Sequence, residues 1–318
     1  MHIYIKTSLV RILSALCAFL VGGMTAHAAD VFYQDFDSYT AGAALPRAYS
    51  GANTFNTESS GDVHDGINYF TNIVQDTANL FGRGTTNQYL RYEDTNALGG
   101  NLMRLSTGTN RISTQVGTLS FDFVIPSAGT RTGWGIYLGN GWPGSGNSVF
   151  GMLLRFNDKG IYAFQNKGAS LATAPMSEDA YYTFGTAATL SIVFNSSPTA
   201  ITYDGYTLAS GAMDVWLGTT RIGQGIPAAG GKGQPDPDGW VPGSGVGATA
   251  IDINNINISF NYGNEFTGAL LIDNFKITDT AIAPSAVPEP ASAALFGGIG
   301  ILVTTLVWKR HRAMSAGL

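Results

Sequence analysis

The sequence predicts an all-β protein, a β-sandwich held between two apolar end segments that carry basic flanks. Three observations predict it. Apolar and polar residues alternate with a period of two through the middle of the chain, Gly, Asn and Asp turn signals separate the alternating runs, and no convincing amphipathic helix interrupts them. The chain has 318 residues, with 41 Gly, 12 Pro, one Cys, four His and 12% charged residues. A typical soluble protein is about 25% charged and about 7% Gly, so this chain is charge-poor and glycine-rich. Residues 29–286 are enough for one large all-β domain with a real core. They carry 12 Lys and Arg against 21 Asp and Glu, a net charge of −9. A nucleic-acid partner needs a basic stripe for the phosphates, and the sequence has none.

The first element, 1–28, reads as a secretory signal peptide. Lys6 and Arg11 precede the apolar run Ile12 to Val21, and Ala26-His27-Ala28 supplies a small-x-small cleavage site at Ala26 and Ala28. Leu16 stands before Cys17 where a lipoprotein needs a small residue, so lipidation is not expected. The only cysteine leaves with the signal peptide, and the mature chain forms no disulfide although export would permit one. Packed sheets, and possible metal ions, must supply its stability.

The ectodomain, 29–283, follows. Leu119, Phe121, Phe123 and Ile125 alternate with Thr118, Ser120, Asp122 and Val124; Leu190, Ile192 and Phe194 alternate with Thr189, Ser191 and Val193. Met213, Val215 and Leu217 share one face, opposite Asp214 and Trp216. Each run is a strand with one buried face. Val149–Gln165 reads as a hairpin turned by Asn157-Asp158-Lys159-Gly160. Ile251 and Ile253 are out of phase with Ile256, Ile258 and Phe260, which predicts a β-bulge at Asn254-Asn255. Thr77–Leu98 is the least legible stretch. Gly223–Gly247, with nine Gly and four Pro in 25 residues, reads as a long disordered loop.

At the C-terminal end, 284–292 is a linker containing Val287-Pro288-Glu289-Pro290. An apolar stretch, 293–308, reads as a transmembrane helix, and 309–318 is a basic tail opening with Lys309-Arg310-His311-Arg312. Counted from Ala291 the span has 18 residues, about 27 Å as a helix and just enough for the hydrocarbon layer. The basic tail stays cytoplasmic.

Val-Pro-Glu-Pro, a short apolar helix and a basic tail closely resemble the PEP-CTERM sorting signal of exported bacterial proteins. The resemblance implies an exosortase as processing partner, cutting near the Pro-Glu-Pro. It also implies a Gram-negative host that makes extracellular polysaccharide, with the protein anchored in the membrane by its C-terminal helix and then displayed at the cell surface or in the matrix. Between the ends, Ala188–Gly223 is similar to the paired-strand core of concanavalin A-like and laminin-G-like domains. Phe32-Tyr33-Gln34-Asp35-Phe36-Asp37-Ser38-Tyr39 and Leu271-Ile272-Asp273-Asn274-Phe275-Lys276-Ile277 resemble their first and last strands. That resemblance implies a jelly-roll β-sandwich.

Little catalytic chemistry is legible. The ectodomain has one histidine, His64, no Gly-x-Ser-x-Gly elbow for a Ser-His-Asp triad, and too few Cys and His for a zinc site. Glycoside hydrolysis needs two carboxylates flanking the bond. The four ectodomain glutamates, Glu58, Glu93, Glu178 and Glu265, do not form the Glu-x-Asp-x-x-Glu strand of laminarinase-type members of the concanavalin-like fold. Two binding features are expected instead. Asp273 interrupts the apolar row of Leu271, Phe275 and Ile277, and with Asp35 or Asp37 of the first strand it is a candidate for structural Ca²⁺. The Gly-Trp-Pro-Gly-Ser-Gly run at Trp142 returns nearly unchanged at Trp240. Both tryptophans stand among small residues, with Asn140 and Asp238 at hand, as candidates for stacking on sugar rings. The expected function is that of a non-catalytic exported surface or matrix protein associated with extracellular polysaccharide. The alternatives are a carbohydrate-binding module acting through the loop tryptophans and a divergent glycoside hydrolase or lyase.

Overall fold

The computed structural model describes residues 30–45, 55–60, 69–95, 102–108, 112–127, 134–139, 148–157, 160–167, 170–175, 182–228, 251–259 and 268–284. Ala26 and Ala28, His64, Asn140, Trp142, Asp238, Trp240 and the Val287-Pro288-Glu289-Pro290 tail with its apolar stretch lie outside the described residues.

Every regular element among the described residues is a strand. In chain order they are β1 (Asp30–Gln34), β2 (Asn56–Ser60), β3 (Tyr69–Gln75), β4 (Gln88–Asp94), β5 (Leu102–Ser106) and β6 (Val116–Val124). Then come β7 (Trp134–Gly139), β8 (Ser148–Asn157), β9 (Gly160–Lys167), β10 (Ser170–Pro175) and β11 (Ala188–Asn195). The last six are β12 (Ile201–Tyr203), β13 (Tyr206–Leu208), β14 (Ala212–Leu217), β15 (Thr220–Pro227), β16 (Asn255–Ser259) and β17 (Gly268–Thr278).

They form two large antiparallel sheets and a small hairpin. Sheet A runs β15-β14-β11-β6-β17-β4-β3, with β1 also paired to β17; sheet B runs β10-β9-β8-β7-β16-β5-β2; β12 and β13 pair with each other. The first and last strands are therefore neighbours, and β8 and β9 form the hairpin expected from Asn157–Gly160. The alternation in β6, β11 and β14 sends Leu119, Phe121, Phe123, Leu190, Ile192, Phe194, Met213, Val215 and Leu217 to one side. There they meet Ile136, Leu138, Phe150, Ile256 and Ile258 of sheet B in one buried cluster. Two apolar inner faces packed on each other make a β-sandwich. Phe55, just ahead of β2, wedges between the sheets with its ring centroid 5.1 Å from Phe32 and 4.7 Å from Phe275, both edge-on. Tyr92 of β4 crosses the core and donates its hydroxyl to the Ile258 carbonyl of β16 at 3.1 Å.

The phase slip between Ile253 and Ile256 is real, and its cause is a change of sheet. Ile253 bridges Thr114, ahead of β6, whereas Asn255 already pairs with Gly139 in sheet B. All four isoleucines, Ile251, Ile253, Ile256 and Ile258, thereby reach the core. A second irregularity corrects the sequence reading of β17. Between the pairs Asp273↔Asp122 and Lys276↔Ser120, β17 spends one residue more than β6, and Asn274 sits at φ 48°. This bulge puts Leu270, Ile272, Phe275 and Ile277 in the core and turns Leu271 and Asp273 to the opposite face, so Asp273 does not share a face with Phe275. The described part of Thr77–Leu98 is a loop, to residue 87, followed by β4. The glycine-rich Gly223–Gly247 begins as strand, since β15 continues to Pro227.

Gly117 marks where the sandwich tolerates no side chain. A Cβ there would overlap the Thr278 carbonyl oxygen and stand 2.8 Å from the Phe194 ring. The carbonyl belongs to the β17 backbone and has no freedom to withdraw. Gly117→Ala should therefore destabilise the fold by about 1–3 kcal/mol, the range for overpacking, read as a lower midpoint in urea unfolding; an unchanged midpoint would contradict the packing described.

Candidate functional site

The outer face of sheet A, the side away from sheet B, is itself largely covered. On β14 the outward residues are Ala212, Asp214 and Trp216, yet all are buried. The cover is the β12–β13 hairpin. Its Asp204-Gly205 turn has φ of 44° and 83°, the pair of positive values a two-residue type I′ turn requires. Tyr203, Leu208 and Trp216 form an outer apolar cluster with Val193 and Ala212.

Asp214 is the polar centre of this region. Its side chain is 1% exposed, and a carboxylate so buried must be met by donors. Tyr203 donates its hydroxyl to Oδ2 at 2.5 Å, the Gly225 N–H donates to Oδ1 at 2.6 Å, and Arg221 Nη1 reaches Oδ2 at 3.3 Å. The Gly225 contact depends on the local irregularity of β15. Met213↔Ile226, Val215↔Gly223 and Trp216↔Arg221 require two extra residues on β15, and Gly225 adopts φ 57°. Gly223-Gln224-Gly225 permits that curl, which bends the edge strand around Asp214. Burial, and next the Asp214 hydrogen bond, push the Tyr203 phenol well up, so it stays protonated as a donor.

Arg221 returns over this hairpin. Its guanidinium carbon lies 4.5 Å from the Tyr206 ring centroid and 5.7 Å from that of Trp216, and the two rings meet edge-on at 5.2 Å. Tyr206, Trp216, Thr219, Arg221, Gln224 and Ile226 are among the walls of a pocket of about 630 Å³. That volume is in the usual range for small-molecule sites, about 300–1,000 Å³. A fixed guanidinium on an aromatic bed, with a hydroxyl and an amide beside it, can bind a polar ring that presents one apolar edge. None of these residues was singled out as a site from sequence. The available signal was an Asp204-Gly205 turn between two short runs, followed by a strand on which Asp214 and Trp216 face outward.

Asp273, expected to hold a metal, occupies the same outer face nearer the middle of the sheet. Its carboxylate accepts from Asn87 Nδ2 at 3.0 Å and from the Asn274 N–H at 2.7 Å, with Arg83 Nε at 3.9 Å. Beside it, Asp122 accepts from Arg83 Nη2 at 2.8 Å, Thr189 Oγ1 at 2.6 Å and Asn274 Nδ2 at 3.0 Å. Asp35 and Asp37 lie beyond the end of β1, because Phe36 turns the chain at φ 64°. Asp35 accepts the Asp37 N–H at 3.2 Å, and Asp37 accepts the Gln88 N–H at 2.8 Å. Asn87, Asn274 and Arg83 thus meet the Asp273 carboxylate with N–H donors, whereas Ca²⁺ takes oxygen ligands. Among the described residues no three His, Cys, Asp or Glu side chains gather as a metal site.

Burial pushes the Asp273 carboxyl up to about 6, against the opposing pull of Asn87, Asn274 and Arg83. Because this lies above the unfolded value of 3.8, the folded chain keeps a proton that the unfolded chain has lost. The resulting stabilisation is full below about pH 4 and disappears as pH rises through about 6. Asp273→Asn lacks that titration. On going from pH 7 to pH 4 the stability of the unsubstituted protein relative to this variant should improve by about 2–3 kcal/mol, measured by urea unfolding; a gap independent of pH would contradict the assignment.

No family model matches the chain, and none of the curated proteins matches it. Solved structures do resemble it. A conserved carbohydrate esterase from the Shiga toxin-encoding bacteriophage phi24B is 9% identical at a TM-score of 0.42, over 80% of this chain and 100% of that one. Domain 4 of AbnA, a GH43 extracellular arabinanase from Geobacillus stearothermophilus solved with arabinotriose, is 13% identical at 0.45, over 81% of this chain and 96% of that one. The exoplasmic/lumenal domain of VIP36, in its Ca²⁺- and Man-bound form, scores 0.32 at 10% identity, over 60% of this chain and 78% of that one. At such identities and scores, the chemistry of the site has to be read from this chain's own residues.

Proposed function

We propose that this chain is a non-catalytic exported protein whose β-sandwich associates with extracellular polysaccharide and whose PEP-CTERM-like tail is processed by an exosortase. The observation that carries the polysaccharide reading is the pocket beside Asp214. It combines the flat rings of Tyr206 and Trp216 with a fixed guanidinium and with Thr219 and Gln224, the mixture of apolar and hydrogen-bonding groups that a sugar ring matches. The pairing of the first and last strands supports a jelly roll of the concanavalin A type as the finer description of the sandwich. Sorting rests on Val287-Pro288-Glu289-Pro290, the apolar stretch and the basic tail.

Two measurements test the parts separately. The intact mass of protein recovered from its host should correspond to a chain beginning at Ala29 and ending near Pro288–Pro290; a chain ending at Leu318 in a host with an active exosortase would overturn the sorting claim. Full-length protein should bind polysaccharide extracted from that host's matrix, with Tyr206→Ala weakening the affinity about 5-fold or more, as for loss of an aromatic anchor. No retention of the unsubstituted protein would overturn the polysaccharide reading.

A further inference from the structure

We propose that the pocket beside Asp214 binds an acidic sugar, a carboxylate-bearing pyranose of the uronic acid class, with Arg221 receiving the carboxylate. This rests on the polysaccharide reading above and narrows it to a charge and an atom. Arg221 is the first ground. A guanidinium has five N–H donors, and the hydrogen bond described for Arg221 is a single contact of 3.3 Å to Asp214. Its side chain remains 22% exposed and lines the pocket.

Asp214 is the second ground, because it takes only one of the Arg221 donors. Its charge is shared with two shorter hydrogen bonds, from the Tyr203 hydroxyl at 2.5 Å and the Gly225 N–H at 2.6 Å, and at 1% exposure it offers no surface to a ligand. Arg83 differs: it reaches Asp122 at 2.8 Å. The other described walls of the pocket are aromatic, aliphatic, glycine or neutral polar, and no carboxylate is among them. The one charged group on these walls is therefore the Arg221 guanidinium.

Geometry favours a carboxylate over a rounder anion. The guanidinium carbon lies 4.5 Å from the Tyr206 ring centroid, so the group rests against the ring while Asp214 takes one of its donors. A planar fork matches the two oxygens of a carboxylate. Thr219 and Gln224, both exposed at the rim, are placed to meet ring hydroxyls.

The test is titration calorimetry on the full chain with a uronic acid trisaccharide and its carboxyl-reduced, neutral counterpart. The acidic sugar should bind at least 10-fold more tightly, and Arg221→Gln should remove that preference. Since Arg221→Gln also takes a donor from buried Asp214, Thr219→Trp provides a second variant that fills the pocket from an exposed turn position. It should abolish binding of both sugars at unchanged melting temperature. Equal affinity for the two sugars overturns the acidic assignment and leaves the polysaccharide reading standing. Acid-selective binding that survives Thr219→Trp moves the site elsewhere and overturns this proposal alone. No binding of either trisaccharide overturns this proposal, and absence of binding to the matrix polysaccharide as well overturns both.

Discussion

A carboxylate taken out of water must be met by donors or it destabilises the fold by several kcal/mol, and sheet A buries two of them on its outer face. Asp214 and Asp273 are 1% and 0% exposed, and each lies under a separate cover. The β12–β13 hairpin covers Asp214 and contributes Tyr203 to it; the loop 76–87 covers Asp273 and contributes Asn87 and Arg83. In both places the carboxylate is what the covering segment is fastened to. The loop has a fastening of its own, since Asp76, 1% exposed, accepts the N–H groups of Leu80 and Phe81. Leu80 and Phe81 then pack beside Tyr89, Val124 and Leu271. Sheet A is thus apolar toward sheet B and half apolar, half ionic on its other side.

The two carboxylates differ in what surrounds them, and the difference separates structure from function. Asp273 faces Asp122 directly across the β17–β6 ladder, a like-charge pair that Arg83 bridges from the loop. Its raised titration makes the central patch responsive to acid. Asp214 has no acidic neighbour across the ladder, where Val193 stands. Its donors come from two segments: Tyr203 of the hairpin, and β15, which supplies Arg221 near its start and Gly225 from its curl. Those segments leave a pocket between them, and Arg221 stands at its wall. The pocket is therefore a by-product of how one strand's outward aspartate is satisfied.

Much of the fold was legible from alternation alone, because inward residues of β6, β11 and β14 are large and, Trp216 apart, their outward partners are smaller or polar. The bulge in β17 was not. Leu270-Leu271-Ile272 offers apolar residues in both phases, since that part of sheet A is buried on both faces, and only the φ of Asn274 decides which phase continues. In sequence Asp35 and Asp37 look like strand residues, because the positive φ of Phe36 leaves no trace in the composition. The pocket was hidden for a different reason. Tyr206 and Arg221 are 15 residues apart in sequence and meet only because the hairpin folds back over β14. The outward pairing of Asp214 with Trp216 was visible, but a lone outward tryptophan does not announce what covers it.

The central claim is that the hairpin is held on sheet A through Asp214. Amide hydrogen exchange of Tyr203→Phe measures this most directly, because the substitution removes one oxygen and leaves the ring in place. A hydrogen bond to a charged group contributes about 1.5–3 kcal/mol. Protection at Ile201–Leu208 and at Gly225 should therefore fall by about 10-fold or more, while β6 and β11 keep theirs. Unchanged protection in the hairpin, or a uniform loss across sheet A, would contradict it.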